Sequence, residues 1–146
     1  MKQLSLIVIA LSLMSFTGWQ TNLENAKQEA QQKHKFILLN FSGSDWCGPC
    51  IRLHKEIFNN PSFEQFADSS LVLVNADFPR QKKNQLAKNI QKQNELLADK
   101  YNANGVFPLT LLLDAEGKVL KTWDGLPNEK PEEFVNEIDA VLHAHH

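Results

Sequence analysis

Two stretches of the chain are apolar almost without interruption. Phe36 to Phe41 is broken only by Asn40 and Leu71 to Ala76 only by Asn75, as expected of buried strands. Around them the apolar positions recur at helical spacing. Leu23, Ala26 and Ala30 define a helix running to about Lys33, and Thr21-Asn22-Leu23-Glu24 at its start has the form of a capping box. Leu53, Ile57 and Phe58 belong to a second helix that begins near residue 47; Asn59-Asn60-Pro61 punctuates it before a short helical stretch around Phe63 and Phe66. Ser42 to Trp46 is turn material. Gln81 to Tyr101 is helical in pattern, with Leu86, Ile90, Leu97 and Tyr101 on one side, and Asn104-Gly105 ends it. Leu109 to Leu113 and Lys118 to Trp123 flank Asp114-Ala115-Glu116-Gly117 and read as a hairpin. A last helix starts at about Pro131, with Phe134, Ile138 and Val141 facing inward. The predicted order is helix, strand, helix, strand, helix, strand, strand, helix. Such an order implies an α/β fold, a mixed central sheet with helices on both faces.

The first residues follow another rule. Met1-Lys2-Gln3 is a short positive start, and Leu4 to Phe16 is an apolar run broken only by Ser5, Ser12 and Ser15. A membrane span needs roughly 20 apolar residues, so this run suits the core of a secretory signal peptide. We place the cut near Gly18, which makes residues 1–18 a leader and 19–146 one domain; an uncleaved membrane anchor is the alternative. No cysteine follows the run, which excludes a lipid-anchored lipoprotein.

Composition then narrows the class. A chain of 146 residues with 42% hydrophobic and 22% charged positions has the make-up of one ordinary globular domain, which excludes wholesale disorder and a disulfide-dense miniprotein. Fifteen basic and seventeen acidic residues leave a net charge of -2, so there is no field to hold a polyphosphate and nucleic acid is excluded as a partner. Removing residues 1–18 removes Lys2 and no acid, taking the charge to -3.

Export matters because the two cysteines are Cys47 and Cys50, in Trp46-Cys47-Gly48-Pro49-Cys50. A bridge closing two intervening residues constrains almost no loop entropy, so a purely structural disulfide stabilises little and chemistry is the better explanation. At the start of a helix, C-x-x-C puts both sulfurs on one side of the first turn with Cα atoms roughly 5 to 6 Å apart, so the bridge opens and closes without backbone rearrangement. Cys47 at the cap position also faces unsatisfied N–H groups and the positive end of the helix dipole, which favour thiolate over thiol. Gly48 permits close approach of a substrate chain, Pro49 fixes φ where its missing N–H is not required, and Trp46 supplies a flat apolar flank. Zinc sites use the same spacing, but no second cysteine pair completes one. His54, four residues beyond Cys50, reads as solvated or packed rather than ligating. No metal and no cofactor other than the cysteine pair is expected.

Phe41 to Cys50, with Tyr101 to Thr110 and the Asp114-Ala115-Glu116-Gly117-Lys118 turn, resembles the thioredoxin superfamily over most of the chain. The Ser-Gly-Ser-Asp-Trp loop and Phe58-Asn59-Asn60-Pro61-Ser62-Phe63 are similar to exported bacterial thioredoxin-like proteins. The resemblance implies a thioredoxin fold and a cis peptide at Phe107-Pro108 facing the cysteines, where it presents backbone groups to an extended substrate strand. It also implies a small residue beside the active site at Gly125, which by itself reads equally as an ordinary turn glycine.

Two features depart from the family. Thioredoxins keep a buried aspartate in the strand before the active site, which helps move a proton from the second thiol; with a one-residue longer loop its equivalent here is Asn40, and the accompanying lysine falls at Leu73. An amide is no base at neutral pH, which leaves water, Asp45, Glu56 or the thiolate leaving Cys47 to deprotonate Cys50. Asn40 itself reads first as satisfying a strand backbone group. The third helix is also long, and Arg80, Lys82, Lys83, Lys88 and Lys92 lie in a stretch without an acid, a solvated face or a docking surface for an acidic partner. The terminal His143 to His146 reads as a frayed polar tail rather than a metal site.

The expected activity is thiol–disulfide exchange in the periplasm or outside a bacterial cell. Cys47 attacks a substrate disulfide, forms a mixed disulfide and is released by Cys50. Gly-Pro between the cysteines resembles the reducing thioredoxins, and a reductase in that compartment needs electrons from across the membrane, which the resemblance assigns to a membrane thiol-shuttling protein. The partners are protein disulfides or dithiols, and the chain is taken as a monomer. A dithiol oxidase, or a binding module with permanently bridged cysteines, are the alternatives.

Overall fold

The computed structural model describes residues 18–146; of the expected leader only Gly18 lies among them. The elements run α1 (Leu23–Lys33), β1 (Phe36–Ser42), α2 (Gly48–Leu53), α3 (Pro61–Ser70), β2 (Leu71–Asp77), α4 (Lys88–Tyr101), β3 (Leu109–Leu113), β4 (Val119–Asp124) and α5 (Pro131–Ala144). The strands form one mixed sheet in the order β2-β1-β3-β4, with β1 parallel to β2 and antiparallel to β3, and β3 antiparallel to β4.

Every residue of β1 is buried, and strand alternation divides them between two cores. Phe36 and Leu38 join Leu53, Phe58, Phe63, Phe134 and Ile138 beneath α2, α3 and α5. Ile37, Leu39 and Phe41 join Leu23, Ala26 and Ala30 of α1 and Leu97 of α4 on the other face. Each fully buried Leu, Ile or Phe contributes roughly 1.5–3 kcal/mol from water removal, so the strand at the centre of the sheet is the best-anchored part of the molecule. The same alternation puts Asn40 on the α2 side, level with Thr110 of β3.

The chain before α1 also belongs to the fold. Gln20 bridges Val74 on the outer edge of β2, donating to Leu73 and accepting from Asn75, and Trp19 packs on Phe58 at 5.0 Å between centroids.

Four local expectations are corrected. Asn22, not Thr21, caps α1, its side chain accepting from the Asn25 N–H, so the Thr21–Glu24 box does not form; asparagine is the stronger cap, and the Thr21 carbonyl is taken by the Gln93 amide. The second helix ends its α-helical part at Leu53 and continues as one π-helical turn over His54–Phe58. The third begins at Lys88 rather than Gln81; residues Lys82–Asn84 form a separate 3₁₀ turn, because the Asp45 carboxylate binds the N–H groups of Arg80 and Gln81 and the Asn84 amide and holds that segment away from the helix axis. In α5 the fully inward position after Ile138 is Leu142, with Val141 only partly buried.

Candidate active site

Cys47 is the N-cap of α2, with extended backbone (φ -94°, ψ 99°), and its Sγ accepts from the Cys50 N–H at 3.3 Å. The two cysteines are joined in a disulfide with Cα atoms 5.2 Å apart. Cys47 keeps 5% of its surface exposed and Cys50 1%, so Cys50 is the more deeply buried residue of the two. Gly48 and Pro49 are exposed in the first turn, with Pro49 at an initial position where no N–H is needed.

The loop ahead of the cysteines is tied at both ends. Trp46 and Cys47 donate their N–H groups to the Gly43 carbonyl. Asp77, at the end of β2, accepts from the Ser44 N–H at 2.9 Å and from its hydroxyl. The Trp46 indole lies over Gly43, donates to the Phe78 carbonyl at 2.8 Å and meets the Phe107 ring edge-on at 5.4 Å. The Arg80 guanidinium stacks over the ring, 3.6 Å from its centroid.

The Phe107-Pro108 peptide is cis. Gly125, at φ 83°, donates its N–H to the Pro108 carbonyl at 2.9 Å. Asn102, 5% exposed, clamps the approach to this turn by donating to the Val106 carbonyl and accepting from its N–H. The fold therefore brings Trp46 to Phe107 and Pro108 to Gly125, from segments about sixty and seventeen positions apart in the chain.

This geometry is matched in sequence: the model of the thioredoxin-like domain covers residues 23–142. The chain belongs to the thioredoxin-like domain family. This thioredoxin-like domain is 42% identical over 112 residues to disulfide bond reductase DsbH of Chlamydia pneumoniae, covering 77% of the chain and 63% of that protein. It is 27% identical over 139 residues to the thioredoxin-related protein DsbJ of the same organism, covering 88% of the chain and 39% of that protein. It thus spans less than two thirds of the length of these two relatives. The solved structure of DsbH oxidoreductase superposes with a TM-score of 0.77 at 32% identity, covering 86% of this chain and 84% of that one.

Within the thioredoxin-like domain the position of the family's buried aspartate is occupied by a polar relay. Asn40 is fully buried; its Nδ2 donates to Thr110 Oγ1 at 2.9 Å and, at 3.4 Å, to the Leu109 carbonyl, while its Oδ1 faces His54 Nε2 at 3.3 Å. Asn40 therefore does more than satisfy a strand backbone group. His54 is packed against both Trp19 and Phe58, and burial lowers its pKa below the ordinary value, with the Asp77 carboxylate opposing. Leu73, in the place of the family's lysine, is buried in the core.

The carboxylates considered from sequence are committed elsewhere. Asp45 is held below the usual carboxylate range first by the Arg80 N–H, then by Asn84 and Gln81, and Glu56 is held low by its pairing with Arg52 on the exposed face of the helix. The basic stretch is likewise divided: Arg80 is spent on Trp46, Lys82 and Lys83 sit on the 3₁₀ turn, and Lys88 and Lys92 on α4, so they do not form one helix face. The sequence set His54 as solvated or packed and Arg80 in a basic stretch, but it did not show that His54 and Thr110 meet Asn40 or that Arg80 lies on Trp46. The i, i+4 spacing of Cys50 and His54 was the one signal that pointed to any of them.

Proposed function

We propose that this chain is an exported thiol–disulfide oxidoreductase that reduces protein disulfides. The observation that carries the reading is the Cys47–Cys50 disulfide closed over the first turn of α2, with the Cys50 N–H directed at Cys47 Sγ. An N–H aimed at a sulfur stabilises its thiolate, so on reduction Cys47 is the attacking sulfur. Cys50, deeper in the fold, resolves the mixed disulfide. Trp46 and Phe107 form the flank along which a substrate chain lies, Gly48 and Pro49 leave the approach open, and Phe107, ahead of the cis bond, offers its backbone groups to the chain's edge, while Gly125 braces the turn through the Pro108 carbonyl.

The direction is supported by Gly-Pro between the cysteines and by the name of the relative from Chlamydia pneumoniae, a disulfide bond reductase. The apolar run before Gly18 supports export to the periplasm or beyond. In that compartment the electrons come from a membrane thiol-shuttling donor. No metal or organic cofactor takes part: the dithiol is the redox group.

The test is equilibration of the Cys47–Cys50 pair against glutathione and dithiothreitol buffers, followed by alkylation of free thiols. A potential near that of thioredoxin, about -270 mV, supports the reductase, whereas one near about -120 mV makes the protein an oxidase. A pair that resists exchange in the native protein overturns enzyme function in favour of a binding module.

A further inference from the structure

When the disulfide opens, Cys50 becomes a thiol with 1% of its surface exposed, and burial disfavours its thiolate. Resolution of a mixed disulfide requires that thiolate. Asn40 cannot take the proton, and Asp45 and Glu56 are engaged on the 80–84 turn and on Arg52.

His54 lies on the Cys50 side of the helix. Its N–H donates to the Cys50 carbonyl, which stacks the two side chains at i, i+4 spacing with Cβ atoms roughly 5–6 Å apart. Both line one cleft of about 280 Å³, together with Ser44, Ile51, Lys55 and Asn59. The tautomer follows from the hydrogen bonds. Asn40 spends its Nδ2 on Thr110 and on the Leu109 carbonyl, so its Oδ1 faces the ring and His54 Nε2 must carry the hydrogen. Nδ1 is left as the basic nitrogen, on a ring that lines the open cleft. Trp19 and Phe58 hold the ring in place, at 5.3 and 5.0 Å between centroids. Of the charged groups around it, the Asp77 carboxylate from β2 favours the cation, and Lys55 lines the same cleft; β1 presents only the neutral Asn40, itself bonded to the neutral Thr110 of β3. Burial outweighs Asp77 and keeps the ring neutral, ready to accept a proton.

We propose that His54 takes the proton from Cys50 in the step that resolves the mixed disulfide, directly or through one water in the cleft, and is a catalytic residue of the exchange. The inference rests on the oxidoreductase reading. In the step, the Cys50 thiol gives its proton to Nδ1 and the thiolate attacks Cys47 Sγ. The Cys47–Cys50 bond forms as the bond from Cys47 to the substrate sulfur breaks. The electron pair of that bond leaves on the substrate sulfur, which is reduced while the enzyme dithiol is oxidised. The imidazolium then returns its proton to the substrate thiolate or to water. In reverse, it protonates Cys50 as the leaving group.

The test uses the reduced protein and dithiobis-nitrobenzoate at saturating concentration. Each turnover releases two thionitrobenzoates, the first on attack by Cys47 and the second on resolution by Cys50. In His54→Gln the first release should stay within about twofold of wild type, and the second should slow by about tenfold to a hundredfold at pH 7. The wild-type second phase should fall on acidification along the titration of His54, followed by NMR of its ring, and this limb should be missing in the variant. Equal second phases and equal pH profiles in the two proteins would overturn the role of His54 while leaving the oxidoreductase intact. Because His54→Gln also touches the Trp19 and Phe58 packing, the wild-type profile stands as an independent check: a second phase that ignores the histidine titration overturns the proposal without any variant. A wild-type protein that releases no thionitrobenzoate removes the oxidoreductase reading itself, and this inference with it.

Discussion

The indole of Trp46 lies so closely over Gly43 that a Cβ on residue 43 would stand 2.6 Å from its Nε1. The glycine is required by space and not by backbone conformation. Gly43→Ala should push the ring out, breaking its bond to the Phe78 carbonyl and its contact with Phe107, at a cost of about 1–3 kcal/mol. A shift of the urea midpoint to lower concentration, with the Trp46 emission moved toward that of a solvated indole, is the expected result; unchanged stability would mean that the ring has another place to pack.

Among the three tryptophans, Trp19 is packed on Phe58 and Trp123 on Phe134, with the Trp123 Nε1–H donated to Glu137. Trp46 alone is next to a cysteine in the chain. Intrinsic fluorescence should therefore change when the disulfide is reduced, and the change should be absent in Trp46→Phe. Retention of the full signal in that variant would assign it to Trp19 or Trp123.

The cysteines should be inequivalent, since the Cys50 N–H serves Cys47 Sγ and Cys50 is the more deeply buried. Cys50→Ser should accumulate mixed disulfides with partner proteins, released by dithiothreitol, and Cys47→Ser should trap few. Non-reducing gels decide it: equal trapping, or trapping confined to Cys47→Ser, would reverse the two roles.

Asn102 supplies both partners of the Val106 backbone ahead of Phe107. Asn102→Ala removes both hydrogen bonds from the half-buried Val106 backbone, next to the exposed residues 103–105, and should cost about 1–3 kcal/mol in chemical denaturation. Hydrogen exchange at Val106 should accelerate by more than the global loss of stability requires. If it follows the global loss alone, Asn102 is not the clamp of this turn.

Glu137 is held below the usual carboxylate range first by the Trp123 indole N–H and then by Lys121. A depressed folded-state pKa stabilises above the unfolded value, about 4.3, and that contribution is lost as pH falls through the folded value. Glu137→Gln should therefore be less stable than wild type at pH 7, with the gap closing below about pH 4. Denaturation midpoints measured across this range check it; a gap independent of pH would point to lost shape complementarity instead of charge.

Local pattern determined much of this protein. The apolar run of β1, broken only at Asn40, the hairpin turn and the helical spacing of Phe134 and Ile138 each report burial that any folded arrangement must satisfy, and the alternation of the elements led to the mixed sheet. The C-x-x-C pair was legible because both of its members lie within one turn. Tertiary structure decided what those residues are set against. Asn40, read from sequence as satisfying a strand backbone group, gained its side-chain partners only when register placed it level with Thr110 and alternation turned it toward His54. Asp45 looked like a free acid beside the cysteines, yet it caps a turn 35 to 39 positions later, and in doing so it divides a helical pattern that periodicity alone reads as continuous. Periodicity reports which side chains avoid water. Which polar group meets which is set by long-range register and by hydrogen bonds that exist only once the sheet has brought distant segments together.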